Sequence, residues 1–227
     1  MSGETGKPLD APTLLEVLER HRVQYVVVGG YAAELHGSVR RTVDVDVVPR
    51  TTSDNLERLA AALREVQAKI RTEGFPEGLP FSPSGEAMVG IVMLNLVTKH
   101  GELDLNFTPS GTTGYDDLHT GATTFDVGPV HVHVASLADI IRSKTAAGRP
   151  KDFDALPELH QLARSTTENH GRTPEATPGS APELARAGYP DPIQPVTAQE
   201  LAKARIDAAR RSAAASKADG KQPPTQR

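Results

Sequence analysis

The sequence predicts an α/β fold in which a sheet is flanked by helices and followed by a helical C-terminal part. Short β-branched runs alternate with amphipathic helical stretches up to about residue 165. The chain has 227 residues, which suffices for one domain and an appendage. It contains no cysteine, which excludes a disulfide scaffold, a thiolate metal site and a thiol nucleophile.

The first half of the predicted domain alternates helices with strands. Apolar residues recur at helical spacing in the two longer helices. Residues 43–48 alternate with period two, so Asp44 and Asp46 share one face of a strand. The predicted elements are a helix over 13–22, a strand over 24–28, a helix over 31–36, a strand over 43–48 and a helix starting at Ser53.

The second half adds three strands and two helices. Residues 102–107 alternate polar and apolar, which places Glu102, Asp104 and Asn106 on one face. Pro150 breaks the chain between the last two helices. The predicted elements are strands over 88–97, 102–107 and 130–134, and helices over 136–147 and 151–164.

Two short motifs between residues 26 and 48 point to phosphate chemistry. Gly29 and Gly30 end a predicted strand, where glycines let backbone amides approach a phosphate at the start of a helix. Asp44 and Asp46 project from one strand face about 7 Å apart, which suits divalent cations that bridge a triphosphate. Taken singly, a Gly-Gly pair is usually a turn, and an Asp-x-Asp on a strand is usually an exposed polar edge. Their occurrence together, in order and around a predicted helix, favours the functional interpretation.

A third acid, Asp104, can join these two if its strand lies beside the strand of Asp44. Three carboxylates so placed are typical of two-metal phosphoryl or nucleotidyl transfer, in which one carboxylate also serves as general base. A solvated strand face is the alternative interpretation for Asp104, and more so for Glu102.

The spacing of these motifs resembles the DNA polymerase β-type nucleotidyltransferase superfamily. The resemblance rests on Gly29-Gly30, a gap of 13 residues, Asp44-x-Asp46 and a later strand aspartate. A second block, SLADIIRSKTAAGRPKDFDAL, is similar to the Lys…Arg-x-Lys-Asp block of AbiEii-like and mycobacterial-type nucleotidyltransferase toxins. Together the motifs cover residues 23–160 and imply a nucleotidyltransferase-type mixed sheet flanked by helices.

The resemblance implies a role for each matching residue of the first motif. Asp44, Asp46 and Asp104 would hold Mg²⁺, and Asp104 would also activate the acceptor hydroxyl. Gly29 and Gly30 would line the triphosphate.

The resemblance also implies a set of nucleotide-binding residues. Lys144 would contact the phosphates together with Arg149, and Asp152 would position Lys144 or Arg149. Without the resemblance, Lys144 is interpreted as a solvated charge on the polar side of its helix. Ser38 is a weaker candidate near the glycine loop. Arg40 would bind nucleotide, or instead pair with the strand aspartates and restrain their repulsion.

The activity so implied is an Mg²⁺-dependent transfer of a nucleoside monophosphate from an NTP such as ATP to a hydroxyl. For the toxin branch the acceptor would be the 3′ end of tRNA, and a cognate antitoxin protein would be the inhibitor. Two alternatives stay open: transfer to a protein or a small molecule such as an aminoglycoside, and a non-catalytic nucleotide- or partner-binding module. Thr42 would lie on the carboxylate face, where a phosphoryl or nucleotidyl group on its hydroxyl would block metal binding.

Composition divides the chain into a predicted nucleotidyltransferase domain over 1–165, with a helical end at about 136–165, and a Pro/Ala-rich tail over 166–227. The tail holds eight of the 18 prolines and few large apolar side chains, so we expect it to be mostly disordered, with one helix-forming stretch over 197–217.

The net charge of −4 does not exclude a nucleic-acid substrate. The predicted domain carries 16 basic and 22 acidic residues and the tail nine and seven, and Mg²⁺ would offset the acids of the site. No apolar run reaches the roughly 18 residues of a membrane span, and the first residues do not resemble a signal peptide. We therefore expect a cytoplasmic protein without a membrane partner.

Overall fold

The computed structural model describes residues 8–170, with side chains described as far as residue 166. The predicted tail lies outside the described residues from position 171 onward, and the stretch over 197–217 with it. The predicted domain boundary at residue 165 falls inside the last helix, which continues to His170.

Helices and strands alternate along the described chain. The helices are α1 (Ala11–Arg20), α2 (Gly29–Leu35), α3 (Ser53–Glu65), α4 (Gly85–Met88), α5 (Tyr115–Thr120), α6 (Leu137–Ala147) and α7 (Pro150–His170). The strands are β1 (Tyr25–Val28), β2 (Asp44–Pro49), β3 (Lys69–Thr72), β4 (Phe75–Leu79), β5 (Met93–Thr98), β6 (Gly101–Asn106), β7 (Thr123–Val127) and β8 (Val130–Val134).

The eight strands of residues 8–170 form one mixed sheet in the order β4-β3-β5-β6-β2-β1-β8-β7. β2 pairs with β6 in parallel and β1 with β8 in parallel, whereas the other neighbours are antiparallel. The predicted mixed sheet flanked by helices is confirmed. β6 lies directly beside β2, which is the arrangement that Asp104 needs to approach Asp44.

The core lies between the sheet and the helices α1 and α3, whose leucines are buried against it. On β2 and β6, the residues that alternate with the acids are fully buried: Val45, Val47, Leu103 and Leu105. The period of two therefore leaves the acids on the opposite face of these strands. Val48, which the alternation placed on the face of the acids, is buried as well.

The predicted strand over 88–97 is wrong in its first half. Residues 85–88 form α4, whose N-terminus is capped by the hydroxyl of Ser84 accepting from the N–H of Ala87. Gly90 then turns the chain with a φ of +77°, and β5 begins only at Met93. A side-chain cap and a left-handed glycine thus divide a run whose composition favoured one strand.

Besides α4, four elements were not predicted, namely β3, β4, α5 and β7. β4 and β7 are the two edge strands of the sheet and are largely exposed, so they lack the hydrophobic alternation that marks a half-buried strand. β4 also contains Pro76, a residue that is confined to edge strands because it donates no ladder hydrogen bond.

Within residues 8–170, no helix combines the length and the apolar character needed to cross a membrane.

Candidate active site

Three aspartates lie where β2 and β6 run side by side. In the parallel register Asp46 lies opposite Asp104, and Asp44 lies opposite Glu102. Because neighbouring strands are about 4.8 Å apart, these acids are held close together by the sheet itself. The backbone therefore places like charges next to each other on one face.

Asp46 is the acid whose ionisation is most affected by its neighbours. Burial, followed by the charges of Asp44 and Asp104, raises the pKa of Asp46 to about 7. A hydrogen bond from the backbone N–H of Gly30 and the charge of Lys144 favour the carboxylate, but with smaller effect. An acid in this setting is a strong attractor for a cation, because a cation removes the cost of the neighbouring charges.

Gly29 and Gly30 pack directly against this acid. Gly29 has a φ of +68°, and a Cβ at this position would lie 2.0 Å from Oδ2 of Asp46. A Cβ at Gly30 would lie 2.8 Å from Oγ1 of Thr42, whose hydroxyl donates to Oδ1 of Asp44 at 2.5 Å. The glycines at the start of α2 are thus required by the placement of the acids, independently of any phosphate.

Arg71 of β3, which no sequence pattern singled out, binds two acids of the same face. Its Nη2 donates to both carboxylate oxygens of Asp104 at 2.8 and 2.7 Å, and its Nη1 contacts Glu102. Burial raises the pKa of Asp104 to about 6, although the charge of Arg71 opposes the shift. The alternation of Lys69 and Arg71 around the buried Ile70 is the one signal that could have identified the strand.

The corner between α6 and α7 places cations around one buried carboxylate. Asp152 has no exposed side-chain surface; it accepts from Nζ of Lys144 at 3.1 Å and from Nε of Arg149 at 2.6 Å. Burial alone would raise the pKa of Asp152, but these hydrogen bonds hold it below its ordinary value. The Lys144 side chain is only 18% exposed, so it is not a solvated surface charge.

This corner has a local cause in the sequence. Gly148 ends α6 in the left-handed conformation, with a φ of +65°, and its N–H donates to the carbonyl of Lys144. Pro150 is the first residue of α7, where the missing N–H of proline costs nothing. The predicted break between the two helices is confirmed.

Ser38 and Arg40, on the loop between α2 and β2, bond to α7. Ser38 Oγ donates to Oε1 of Glu158 at 2.8 Å, and Arg40 Nε donates to Oε2 of the same residue at 3.1 Å. Arg40 Nη2 also donates to the carbonyl of Asp154 at 2.6 Å. The expected pairing of Arg40 with the strand aspartates is therefore not observed. The nucleotide-binding role of Ser38 and Arg40 stays a prediction.

An open cavity of about 610 Å³ lies between the acids and the cations. Pockets that take small molecules have volumes of this order. Most of the predicted site residues line it, together with Arg71 and Lys151: Gly29, Gly30, Asp44, Asp46, Asp104, Lys144 and Arg149. Thr42 lines it as well, beside Asp44.

The carboxylates on β2 and β6 are the hard oxygen ligands that Mg²⁺ prefers. As the side chains stand, no group of three or more histidine, aspartate or glutamate residues in the described part of the chain is placed to hold one cation. Arg71 donates to both oxygens of Asp104, so a cation at this carboxylate would compete with Arg71. The donor chemistry and the register fit a divalent cation at Asp44 and Asp46, and Asp104 is the third carboxylate of this face.

Neither a protein-family model nor a curated protein matches the sequence. Among solved structures, the lincomycin-bound lincosamide antibiotic adenylyltransferase LnuA aligns over 69% of this chain and 99% of its own, at 14% identity and a TM-score of 0.47. The antibiotic-resistance factor ANT(2″)-Ia aligns over 70% and 85%, at 14% identity and a TM-score of 0.42. An antigenic nucleotidyltransferase-like protein from Paracoccidioides brasiliensis aligns over 73% and 92%, at 18% identity and a TM-score of 0.42. All three alignments have TM-scores below 0.5.

Proposed function

We propose that this protein is an Mg²⁺-dependent nucleotidyltransferase that moves a nucleoside monophosphate from an NTP to a hydroxyl acceptor. One observation carries the proposal: Asp44, Asp46 and Asp104 share a cavity with Lys144 and Arg149. A triphosphate needs both groups, since its oxygens bind cations directly and bind carboxylates through bridging metal ions.

In this proposal Asp44 and Asp46 hold Mg²⁺, and Asp104 completes the site. When bound, Mg²⁺ activates the attacking hydroxyl and neutralises the leaving pyrophosphate. Asp104 accepts the proton of the acceptor hydroxyl. The acceptor oxygen forms a bond to the α-phosphorus while the bond from that phosphorus to the bridging oxygen of the β-phosphate breaks.

The remaining cavity residues bind and orient the nucleotide. Gly29 and Gly30 lie at the start of α2 and line the cavity, where the absence of a Cβ lets a triphosphate come close to the backbone. Lys144 contacts the phosphates, and Asp152 fixes Lys144 and Arg149 in place through the hydrogen bonds described above.

We propose the 3′ end of tRNA as the acceptor and a cognate antitoxin protein as the inhibitor, both in the cytoplasm. The resemblance of the two motif blocks to the AbiEii-like and mycobacterial-type toxins supports this choice. The charge at the cavity supports it too, because Arg149 and Lys151 line it with exposed side chains that can bind RNA phosphates.

The test uses the full chain, Mg²⁺ and each of four NTPs labelled at the α-phosphate. Total tRNA, lysate protein and a panel of aminoglycosides and lincosamides serve as acceptors. We expect label on tRNA, and none on tRNA whose 3′ ends have been oxidised with periodate. Asp46→Asn should abolish the transfer, whereas Asp54→Asn, an exposed aspartate on α3, should not.

The same experiment separates the alternatives. Label on protein or on an antibiotic, with none on tRNA, would show that the acceptor is not tRNA but would support nucleotidyl transfer. No label on any acceptor with any NTP would overturn the enzymatic proposal and favour a binding module.

A further inference from the structure

Arg71 stands between two cavities. Beside the cavity of the aspartates lies a second one of about 280 Å³, which is lined by residues of β3, β4 and β5. Arg71 and Glu102 line both cavities. The ion pair between them is therefore part of the wall that separates the two spaces.

The contacts of Arg71 take up part of the capacity of Asp104 to bind a cation. One guanidinium nitrogen takes both oxygens of this carboxylate, and the pair is well withdrawn from solvent, with 30% of the Arg71 side chain and 15% of the Asp104 side chain exposed. A metal ion at Asp104 would bind the same two oxygens, so the guanidinium and the metal ion compete for this carboxylate.

We propose that Arg71 is a positioning residue that competes with a divalent cation for Asp104 and so sets the cation affinity of the site. This inference rests on the function proposed above. Glu102 contacts the other guanidinium nitrogen of Arg71. Arg71 therefore still has an acidic partner when a cation takes its place at Asp104. When Asp104 changes partner, Glu102 retains Arg71 at the wall between the two cavities.

The test measures cation binding directly. The full chain is titrated with Mn²⁺, and free Mn²⁺ is followed by electron paramagnetic resonance. Competition predicts that Arg71→Met binds Mn²⁺ about fivefold more tightly than the wild type, since an ion pair of this kind accounts for an equilibrium factor of up to about five. Arg71→Lys, which keeps the charge but loses the planar fork, should fall between them.

Lys69→Met is the matched control. Lys69 lies on the same strand and face as Arg71 and lines the second cavity, but not the cavity of the aspartates. Its removal deletes one positive charge near the site, and we expect an affinity like that of the wild type. Equal affinities of the wild type and Arg71→Met would overturn the inference. So would a gain in Lys69→Met as large as in Arg71→Met, because the effect would then be general electrostatics.

A second measurement needs no stable Arg71→Met variant. The guanidinium signal of Arg71, assigned by its absence in Arg71→Lys, is followed by NMR in the wild type as Mg²⁺ is added. We expect it to shift as Asp104 is released, and a signal unchanged at saturating Mg²⁺ would overturn the inference. Asp44→Asn separates this failure from that of the proposed function: if it binds Mn²⁺ as the wild type does, the metal site itself is wrong.

Discussion

Asp46 and Asp152 are carboxylates of the same cavity region with opposite surroundings. Asp152 is fully buried, and Lys144 and Arg149 hydrogen-bond to it, so its pKa lies below the ordinary value. Burial, followed by the charges of Asp44 and Asp104, raises the pKa of Asp46 to about 7, and the charge of Lys144 opposes this shift only weakly. The comparison shows how the hydrogen-bond partners of a buried acid set its ionisation: two cations of this chain stabilise the Asp152 carboxylate, whereas no side-chain cation hydrogen-bonds to Asp46 among the described residues.

The largest expected effect is the difference in nucleotide-transfer activity between variants of Asp46 and Asp152. Asp46→Asn should lower nucleotide transfer at least about a thousandfold at any Mg²⁺ concentration, because a metal ligand is lost. Asp152→Asn should lower it about 10- to 100-fold, since it loosens groups that contact the substrate but removes none of them. Steady-state kinetics over a range of Mg²⁺ and NTP concentrations measure both. A larger loss in Asp152→Asn than in Asp46→Asn would reverse the comparison.

The next effect tests the space around Asp46. Gly29→Ala should destabilise the fold by about 3 kcal/mol, from the strain of a side chain at positive φ and from overlap with the carboxylate. Gly90→Ala is the control, because Gly90 has a φ of +77° and nothing lies within 4 Å of the added Cβ. It should lose only the strain, about 1–2 kcal/mol. Urea unfolding of both variants measures the difference, and equal losses would show that Asp46 has room to move.

A smaller effect is expected in stability at pH 8. Asp152→Asn should lower the free energy of unfolding by about 2 kcal/mol, since two charged hydrogen-bond donors lose their carboxylate. Asp46→Asn should not lower it, because the substitution removes a charge that its neighbours repel. If thermal or urea unfolding shows both variants to be equally destabilised, Asp46 is a structural acid like Asp152.

The smallest effect is in the pH dependence of stability. Asp46 keeps its proton to about pH 7 in the folded state, whereas the unfolded chain releases it near the ordinary value of 3.8. Its contribution to stability is therefore complete below about pH 4 and is lost as the pH rises to about 7. Asp152, whose pKa is lowered, contributes above its unfolded value and loses this contribution as the pH falls.

The opposite pH dependences of Asp46 and Asp152 can be measured by urea unfolding between pH 3 and 8. Asp46→Asn should remove at least about 1 kcal/mol of the loss between pH 4 and 7, because one pKa unit corresponds to about 1.4 kcal/mol. Asp152→Asn should instead reduce the decrease in the free energy of unfolding that the wild type shows as the pH falls. Parallel profiles of the wild type and Asp46→Asn would show that the pKa of Asp46 is not raised.

Much of the site could be predicted because its groups are close in sequence or follow a strand period. The alternation over residues 43–48 and 102–107 placed the acids on one face, and the glycine pair marked the start of α2. The edge strands could not be predicted, since exposed strands such as β4 lack a hydrophobic pattern. The partner of Arg40 could not be predicted either, because Glu158 is 118 residues away along the chain.

The sequence by itself determined which face of each strand the acids occupy and where the last two helices part, since strand period, turn glycines and the break at Pro150 are local properties. Only the tertiary structure decided which charges meet. The strand order places β5 between β3 and β6, and Arg71 reaches across it to Glu102 and Asp104. Such pairings depend on long-range packing that no local pattern encodes, and they set whether an acid is bound by its own chain or left to bind a cation.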